Sequence, residues 1–226
     1  MKLTEQNLQL PAIEAGLASS EMETATLGMG CFWGPEAQFG ALPGVIRTRV
    51  GYAGGTTEHP TYNQMGDHTE TVEVDFDPRV LSYGEILRHF WRNHYPRRDD
   101  YMGRQYLSLL RYRGKEQEET VDRVKREMEA ELGMTIETDI APFSAFTLAE
   151  DYHQKYYLKR YPKAFEQLKD LMPHPSVLTN STFAARLNGF VKGYGEKERL
   201  LDEISGWNIP ADAKDTLKGK IQSMKW

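Results

Sequence analysis

Thr24-Ala25-Thr26-Leu27-Gly28-Met29-Gly30-Cys31-Phe32-Trp33-Gly34-Pro35-Glu36-Ala37-Gln38-Phe39 is the stretch on which the reading of this chain turns. Thr24 to Met29 is a short apolar alternation that reads as a strand, and Pro35 to Phe39 reads as the first turns of a helix, with proline near its start. Between them lies Cys31, the only cysteine in 226 residues, wedged between glycines and backed by Phe32 and Trp33. A thiol at a strand-to-helix turn faces unpaired backbone N–H groups and the positive end of the helix dipole. That setting favours an anion, so the sequence predicts a lowered pKa and a thiolate as the resting form or close to it. A buried structural cysteine is the competing fate of a lone thiol. Aromatics crowd one side and glycines leave the other open, which favours the reactive reading.

Strand-like and helix-like blocks alternate on the C-terminal side of this turn. Val45 to Tyr52 places Ile46, Thr48, Val50 and Tyr52 on one face and Arg47 and Arg49 on the other. In Thr69 to Asp77, Val72, Val74 and Phe76 point one way, while Thr71, Glu73, Asp75 and Asp77 point the other. Ser82 and Glu85 form a capping box ahead of the apolar stripe Tyr83, Ile86, Leu87, Phe90 and Trp91. Tyr106 to Tyr112 reads as a strand, Lys115 to Leu132 as a charged helix stopped by Gly133, and Met134 to Ile140 as a further strand. Ala149 to Tyr161 reads as a helix. The order β-α-β-β-α-β-α-β-α predicts an α/β (α+β) two-layer sandwich with a ferredoxin-like core and a mixed sheet.

Residues 1–22 lack clear periodicity and read as an N-terminal arm, leaving 23–172 as the main domain. Beyond Pro173-His174-Pro175, three helical patterns over about 182–192, 196–204 and 211–225 suggest a C-terminal helical extension spanning 173–226. A net charge of −5, with lysines and arginines interspersed among acids, argues against a nucleic-acid grip. No apolar run approaches a membrane span. One cysteine cannot form a disulfide framework, and the polar start does not resemble a secretory signal, so a cytoplasmic setting is expected.

Glu70 shares the alternation register of Val72, Val74 and Phe76, which aims its side chain at the apolar face. Lost hydration there raises a carboxyl pKa and favours a neutral acid able to donate a proton. The alternative is a strand-end glutamate that reaches solvent. Tyr52 is inward-facing on its own strand, where a site tyrosine and a core tyrosine are equally open readings.

These residues converge on a family. Gly30-Cys31-Phe32-Trp33-Gly34, Val50-Gly51-Tyr52-Ala53-Gly54-Gly55, Pro60-Thr61-Tyr62 and Gly66-Asp67-His68-Thr69-Glu70-Thr71-Val72 resemble the type A peptide methionine sulfoxide reductases. Phe90-Trp91-Arg92-Asn93-His94, Gln105-Tyr106-Leu107-Ser108 and Ala149-Glu150-Asp151-Tyr152-His153-Gln154-Lys155-Tyr156 extend the resemblance over roughly residues 24 to 165. The resemblance implies thiol-dependent reduction of the S epimer of methionine sulfoxide, free or in proteins, in the service of protein repair under oxidative stress. It implies Cys31 as nucleophile, Phe32 and Trp33 as the pocket for the substrate methyl group, Glu70 as proton donor, and Tyr52 and Tyr106 as hydrogen-bond donors to the sulfoxide oxygen. Acid assistance makes chemical sense, because sulfoxide oxygen leaves poorly until it carries protons. Attack then leaves a sulfenic acid on Cys31.

The chain departs from the common family pattern in two places. Many members carry resolving cysteines in a glycine-rich C-terminal tail, and this chain has none. Regeneration is therefore expected from an external thiol, such as thioredoxin, or glutaredoxin with glutathione, with no bound cofactor. In the loop before Gln105, Tyr101 stands where the family has an aspartate, with Asp99 and Asp100 adjacent.

Other motifs fail. Gly28-Met29-Gly30 lacks the third glycine of a dinucleotide loop, where Trp33 stands. His89 and His94 are off the helical spacing for a zinc pair, so no metal is expected. His153 among tyrosines reads as a packed histidine. No histidine lies near Cys31 in sequence to make a cysteine hydrolase. Asn180-Ser181-Thr182 matches a glycosylation sequon, yet Ser181 suits a helix N-cap better. The competing functional class is a sulfoxide-binding or redox-sensing module of little activity, and a third possibility is a reductase of another small sulfoxide.

Overall fold

Alternating side chains build a curled six-stranded sheet in the computed structural model of this chain, which describes residues 10–17, 21–97, 103–224 and 226. The strands are β1 (Glu23–Met29), β2 (Val45–Ala53), β3 (Thr69–Phe76), β4 (Ser108–Tyr112), β5 (Asp139–Pro142) and β6 (Phe146–Leu148), in the order β5-β4-β1-β3-β2-β6. Only β4 and β5 run parallel; the other pairings are antiparallel. The helices are α1 (Leu10–Ile13), α2 (Trp33–Gly40), α3 (Tyr83–Arg92), α4 (Gly114–Leu132), α5 (Tyr156–Lys159), α6 (Pro162–Glu166), α7 (Pro175–Asn180), α8 (Thr182–Lys192), α9 (Lys197–Gly206) and α10 (Ala211–Ser223).

The expected apolar face is the core. Val72, Val74 and Phe76 of β3 meet Leu27 of β1, Phe39 of α2, the α3 stripe Ile86, Leu87, Phe90 and Trp91, and Val121, Val124 and Met128 of α4. The Ser82–Glu85 capping box starts α3 as its sequence predicts. β3 is central and buried along its whole length. Its charged side chains face the other side of the sheet in an ion lattice: Arg49 and Arg113 reach Glu73 at 2.9 and 2.5 Å, and Arg47 holds Asp75. Pairing is what makes such burial tolerable.

Several expected elements differ, each for a local reason. A β-bulge between Val45 and Arg47 puts Val45 in the core, so Ile46 leaves the face it was expected to share with Val50. The strand expected from Tyr106 begins at Ser108, because residues 103–106 form a turn. The strand expected from Met134 is reduced to β5: the Glu129 carboxylate takes the Ile136 N–H (3.0 Å), and the Thr138 hydroxyl is held by Trp91 and Ser108. Ala149 to Tyr161 is mostly turns. Gln154 lays its amide along β2 as a substitute strand, accepting from Val50 N–H at 3.0 Å and donating to Val50 C=O at 2.9 Å. Lys155 then takes a left-handed φ of 51°, which ends any helix running into it.

The C-terminal helices share a second core that already begins at Leu158 and Leu168, and Leu10 and Ile13 are buried in it. Residues 10–16 are thus helical and packed, where the lack of periodicity over 1–22 reads as an arm. Glu14 pins the start of α8, accepting from Phe183 N–H (2.7 Å), Thr182 N–H (3.2 Å) and the Ser181 hydroxyl (3.0 Å). Ser181 is the N-cap of α8, as read from sequence, accepting from Ala184 N–H at 2.9 Å. α8 lies close on α2: a Cβ at Gly189 would meet the Ala37 carbonyl at 2.6 Å, so only glycine permits this approach. Among the described residues, no helix is long and apolar enough to cross a membrane.

Candidate active site

Gly30 ends β1 with φ +83°, a left-handed turn that glycine adopts without strain, and delivers Cys31 to the surface just ahead of α2. Phe32 follows, 1% exposed, and anchors a small aromatic cluster with Tyr52, Met65, Tyr62 and Trp33. The Phe32 N–H donates to Glu70 Oε2 at 3.0 Å. This bond joins the turn after β1 to the start of β3 and brings together the two residues that sequence singled out from opposite ends of the site.

Glu70 is 1% exposed, so it does not reach solvent from the strand end. Its other oxygen accepts from Gln105 Nε2 at 2.8 Å, and its own N–H donates to the Gln105 carbonyl at 2.9 Å. Burial raises the Glu70 pKa, and the bonds from Gln105 and Phe32 pull against that rise without cancelling it. The expected acid-favouring environment is present.

The Cys31 thiol differs from its sequence expectation. Its pKa is raised: desolvation by the surrounding protein dominates and the Glu70 charge adds to it, while the Trp33 N–H at the helix start lowers it by less. The helix terminus therefore acts as expected but loses to burial and a like charge, and the resting form is the thiol.

Tyr52 pairs with Glu70 across β2 and β3, but its hydroxyl donates to Glu150 Oε2 at 2.7 Å. Burial and this bond push its pKa up. The family resemblance implies that hydroxyl as a donor to the sulfoxide oxygen; in the structure it is engaged by Glu150. The same carboxylate accepts the Tyr62 N–H at 3.0 Å, so Tyr52 and Glu150 together fix Tyr62. Tyr106 lies near Tyr62, and its pKa is pushed up to about 12 by burial and by nearby Glu70, Tyr62 and Cys31. Tyr106 thus lies near both Glu70 and Cys31. Tyr62 is the residue the reading of roles missed, although it lay inside the quoted Pro60-Thr61-Tyr62 element. Gln105 was likewise legible only as part of a motif.

Trp33 donates from Nε1 to His153 Nδ1 at 3.1 Å and stacks on Tyr156 with centroids 3.7 Å apart. His153 is 1% exposed and packs edge-on to Phe32 at 5.0 Å, the packed histidine that sequence favoured. Asp99, Asp100 and Tyr101 lie outside the described residues. His94 is tied to the Phe90 carbonyl and Ser108, away from the thiol, and no metal-holding cluster occurs among the described residues.

Known proteins are similar to this chain along most of its length. Residues 23–182 match the family described as peptide methionine sulfoxide reductase. A Drosophila melanogaster peptide methionine sulfoxide reductase is 44% identical over 181 residues, covering 80% of this chain and 72% of that protein. Peptide methionine sulfoxide reductase A5 of Oryza sativa subsp. japonica is 39% identical over 211 residues, covering 88% and 82%. Among solved structures, reduced Mxr1 from Saccharomyces cerevisiae aligns with a TM-score of 0.58 at 28% identity, covering 65% of this chain and 89% of that one. Methionine sulfoxide reductase A of Corynebacterium diphtheriae aligns at 0.54 and 32% identity, covering 65% and 78%.

Proposed function

This chain belongs to the peptide methionine sulfoxide reductase family and is an oxidoreductase that reduces methionine sulfoxide; on that premise we propose how its residues divide the work. The observation that carries the proposal is the 3.0 Å bond from Phe32 N–H to Glu70 Oε2, which holds a buried, acid-favouring carboxyl against the residue beside the nucleophile.

The sulfoxide methyl group rests against Phe32 and Trp33, whose aromatic surfaces reward an apolar group. Tyr106 and Tyr62 donate to the sulfoxide oxygen, and Tyr52 supports them through Glu150. The Cys31 sulfur attacks the sulfoxide sulfur while Glu70 gives its proton to the oxygen, which is otherwise a poor leaving group. The oxygen ends on Cys31 as a sulfenic acid, methionine departs, and the thiol's proton returns to Glu70, so the carboxyl finishes as it began. A reducing thiol then attacks the sulfenic sulfur and releases water, and a second thiol frees Cys31 from the mixed disulfide. With Cys31 the only sulfhydryl in the chain, both reducing thiols come from outside. Thioredoxin, or glutaredoxin with glutathione, fits that need, and a reducing compartment such as the cytoplasm suits the cycle. The S epimer is the substrate form, free or in oxidised protein awaiting repair.

The test is a single turnover without added reductant. Mixing reduced protein with methionine sulfoxide is expected to leave one added oxygen on Cys31 by mass spectrometry and to consume one epimer only. Cys31→Ser should abolish turnover with dithiothreitol. Consumption of both epimers, or full activity in the serine variant, removes this reading.

A further inference from the structure

We propose that the groove running from Trp33 past Tyr156 and Tyr157 to Arg160 and Lys192 is a subsite for the polypeptide flanking the oxidised methionine, and that it selects acidic flanking segments. The proposal rests on the reductase reading above and names the substrate context that the reading leaves open.

The groove encloses about 590 Å³, and Trp33 lines it together with Tyr156, Tyr157 and Tyr161. Trp33 also packs against the cluster beside Cys31, so groove and site share that side chain. Tyr156 stacks face to face on Trp33, with rings inclined by only 1° and centroids 3.7 Å apart, which holds the Trp33 side of the groove in place and offers aromatic surface there. Tyr157 lines the same groove.

Charge supplies the selectivity. The lining holds two cations, Arg160 and Lys192, and no carboxylate. Both are exposed, and both are seated on the aromatic wall: Arg160 Nη1 donates to the Tyr156 hydroxyl at 3.2 Å, and Lys192 Nζ lies 4.7 Å from the Tyr157 ring centre. The chain as a whole carries −5, so this is a cationic strip on an acidic protein. An acidic segment is repelled elsewhere and attracted here, and the Arg160 fork suits a carboxylate. Lys192 comes from the last turn of α8, so a helix beyond the strand-and-helix core supplies one side of the groove.

The experiment compares kcat/KM of the full chain, with dithiothreitol at low salt, for free methionine sulfoxide and for synthetic peptides carrying methionine sulfoxide between aspartates or between lysines. We expect the aspartate peptide to lead the lysine peptide by about tenfold, expressed in KM, and the gap to shrink in high salt. Lys192→Glu and Arg160→Gln should each narrow the gap, and the double variant should erase or invert it. Equal kcat/KM for the two peptides, with free methionine sulfoxide still reduced, overturns the subsite alone. Wild-type protein that reduces none of the three removes the reductase reading and the subsite with it. A preference that survives both substitutions also overturns the assignment. So does an effect of the variants seen only when a protein thiol replaces dithiothreitol, which would give the groove to the reductant.

Discussion

Glu70→Gln separates the two influences that Glu70 exerts, because they move opposite observables. The amide keeps the shape of the carboxyl and can still accept the Phe32 N–H that Glu70 takes at 3.0 Å. Its nitrogen would face Gln105 Nε2, which now lies 2.8 Å from Glu70 Oε1, and a half-turn of the Gln105 amide restores a donor–acceptor pair. What is lost is the proton. General-acid assistance contributes on the order of 10²–10⁴ in rate, or about 3–5 kcal/mol of barrier, so single-turnover oxidation of Cys31 should slow by that factor. The thiol should respond in the other direction. That response belongs to the alkaline side of the Glu70 titration: an ionised Glu70 raises the Cys31 pKa and a neutral amide cannot, so alkylation by iodoacetamide should become faster in the variant as pH rises to where wild-type Glu70 has lost its proton. Folding provides the control. The Glu70 pKa is raised in the folded protein, so wild type loses stability as pH climbs past the unfolded value toward the folded one. Glutamine does not ionise, and the variant should therefore be at least as stable as wild type at pH 8. If reduction and alkylation slow together, or reduction does not slow, Glu70 is not the acid.

The remaining predictions concern neighbours of that pair. Tyr106→Phe should lower kcat, whereas Tyr52→Phe, which strips a 2.7 Å bond from Glu150, should cost about 1–3 kcal/mol of stability in urea unfolding and affect kcat less. Lys155 and Glu36 are both fully buried and lie 2.8 Å apart, so Lys155→Met should destabilise by about 3–5 kcal/mol, with Glu36→Gln added on top restoring part of the loss. Burial raises the Glu14 pKa from 4.5 to about 7, so its contribution to stability is intact below pH 4.5 and falls by up to about 3 kcal/mol as pH rises through 7. Denaturation midpoints of wild type and Glu14→Gln across that range should diverge accordingly; parallel profiles would refute the assignment.

Much of this could be read from the chain, and the failures share a cause. Alternation located β1, β2 and β3 and aimed Glu70 at the covered face, because strand period and burial act locally. The Ser82 cap and the Ser181 cap were legible for the same reason. Long-range pairing was not. Residues 149–156 read as a helix because nothing in their order reveals that Gln154 will bond Val50, or that Lys155 will be drawn to Glu36, 119 positions away in sequence. The Cys31 pKa inverted on the same ground: the helix end is adjacent in sequence, but Glu70 and the desolvating protein around the thiol arrive through the fold. The Glu150 carboxylate that takes both the Tyr52 hydroxyl and the Tyr62 N–H comes from the far end of the motif order, so neither bond could be read from the residues around those tyrosines.

The contrast between an exposed Cys31 and a Glu70 only 1% exposed suits the cycle proposed for these residues. The acid needs a dry setting, since water would return its pKa to the ordinary range and leave it without a proton to give. The sulfur has the opposite requirement. It must meet two visitors in turn, first a sulfoxide and then a reducing thiol, because the chain contains no second cysteine to intercept the sulfenic acid. A nucleophile buried as deeply as its acid would be oxidised once and stranded. Placing Cys31 on the glycine turn at the mouth and Glu70 on the central strand meets both needs with one backbone bond, Phe32 N–H to Glu70, coupling them. Cys31 stays exposed among the described residues, and α8 borders the groove that Trp33 lines.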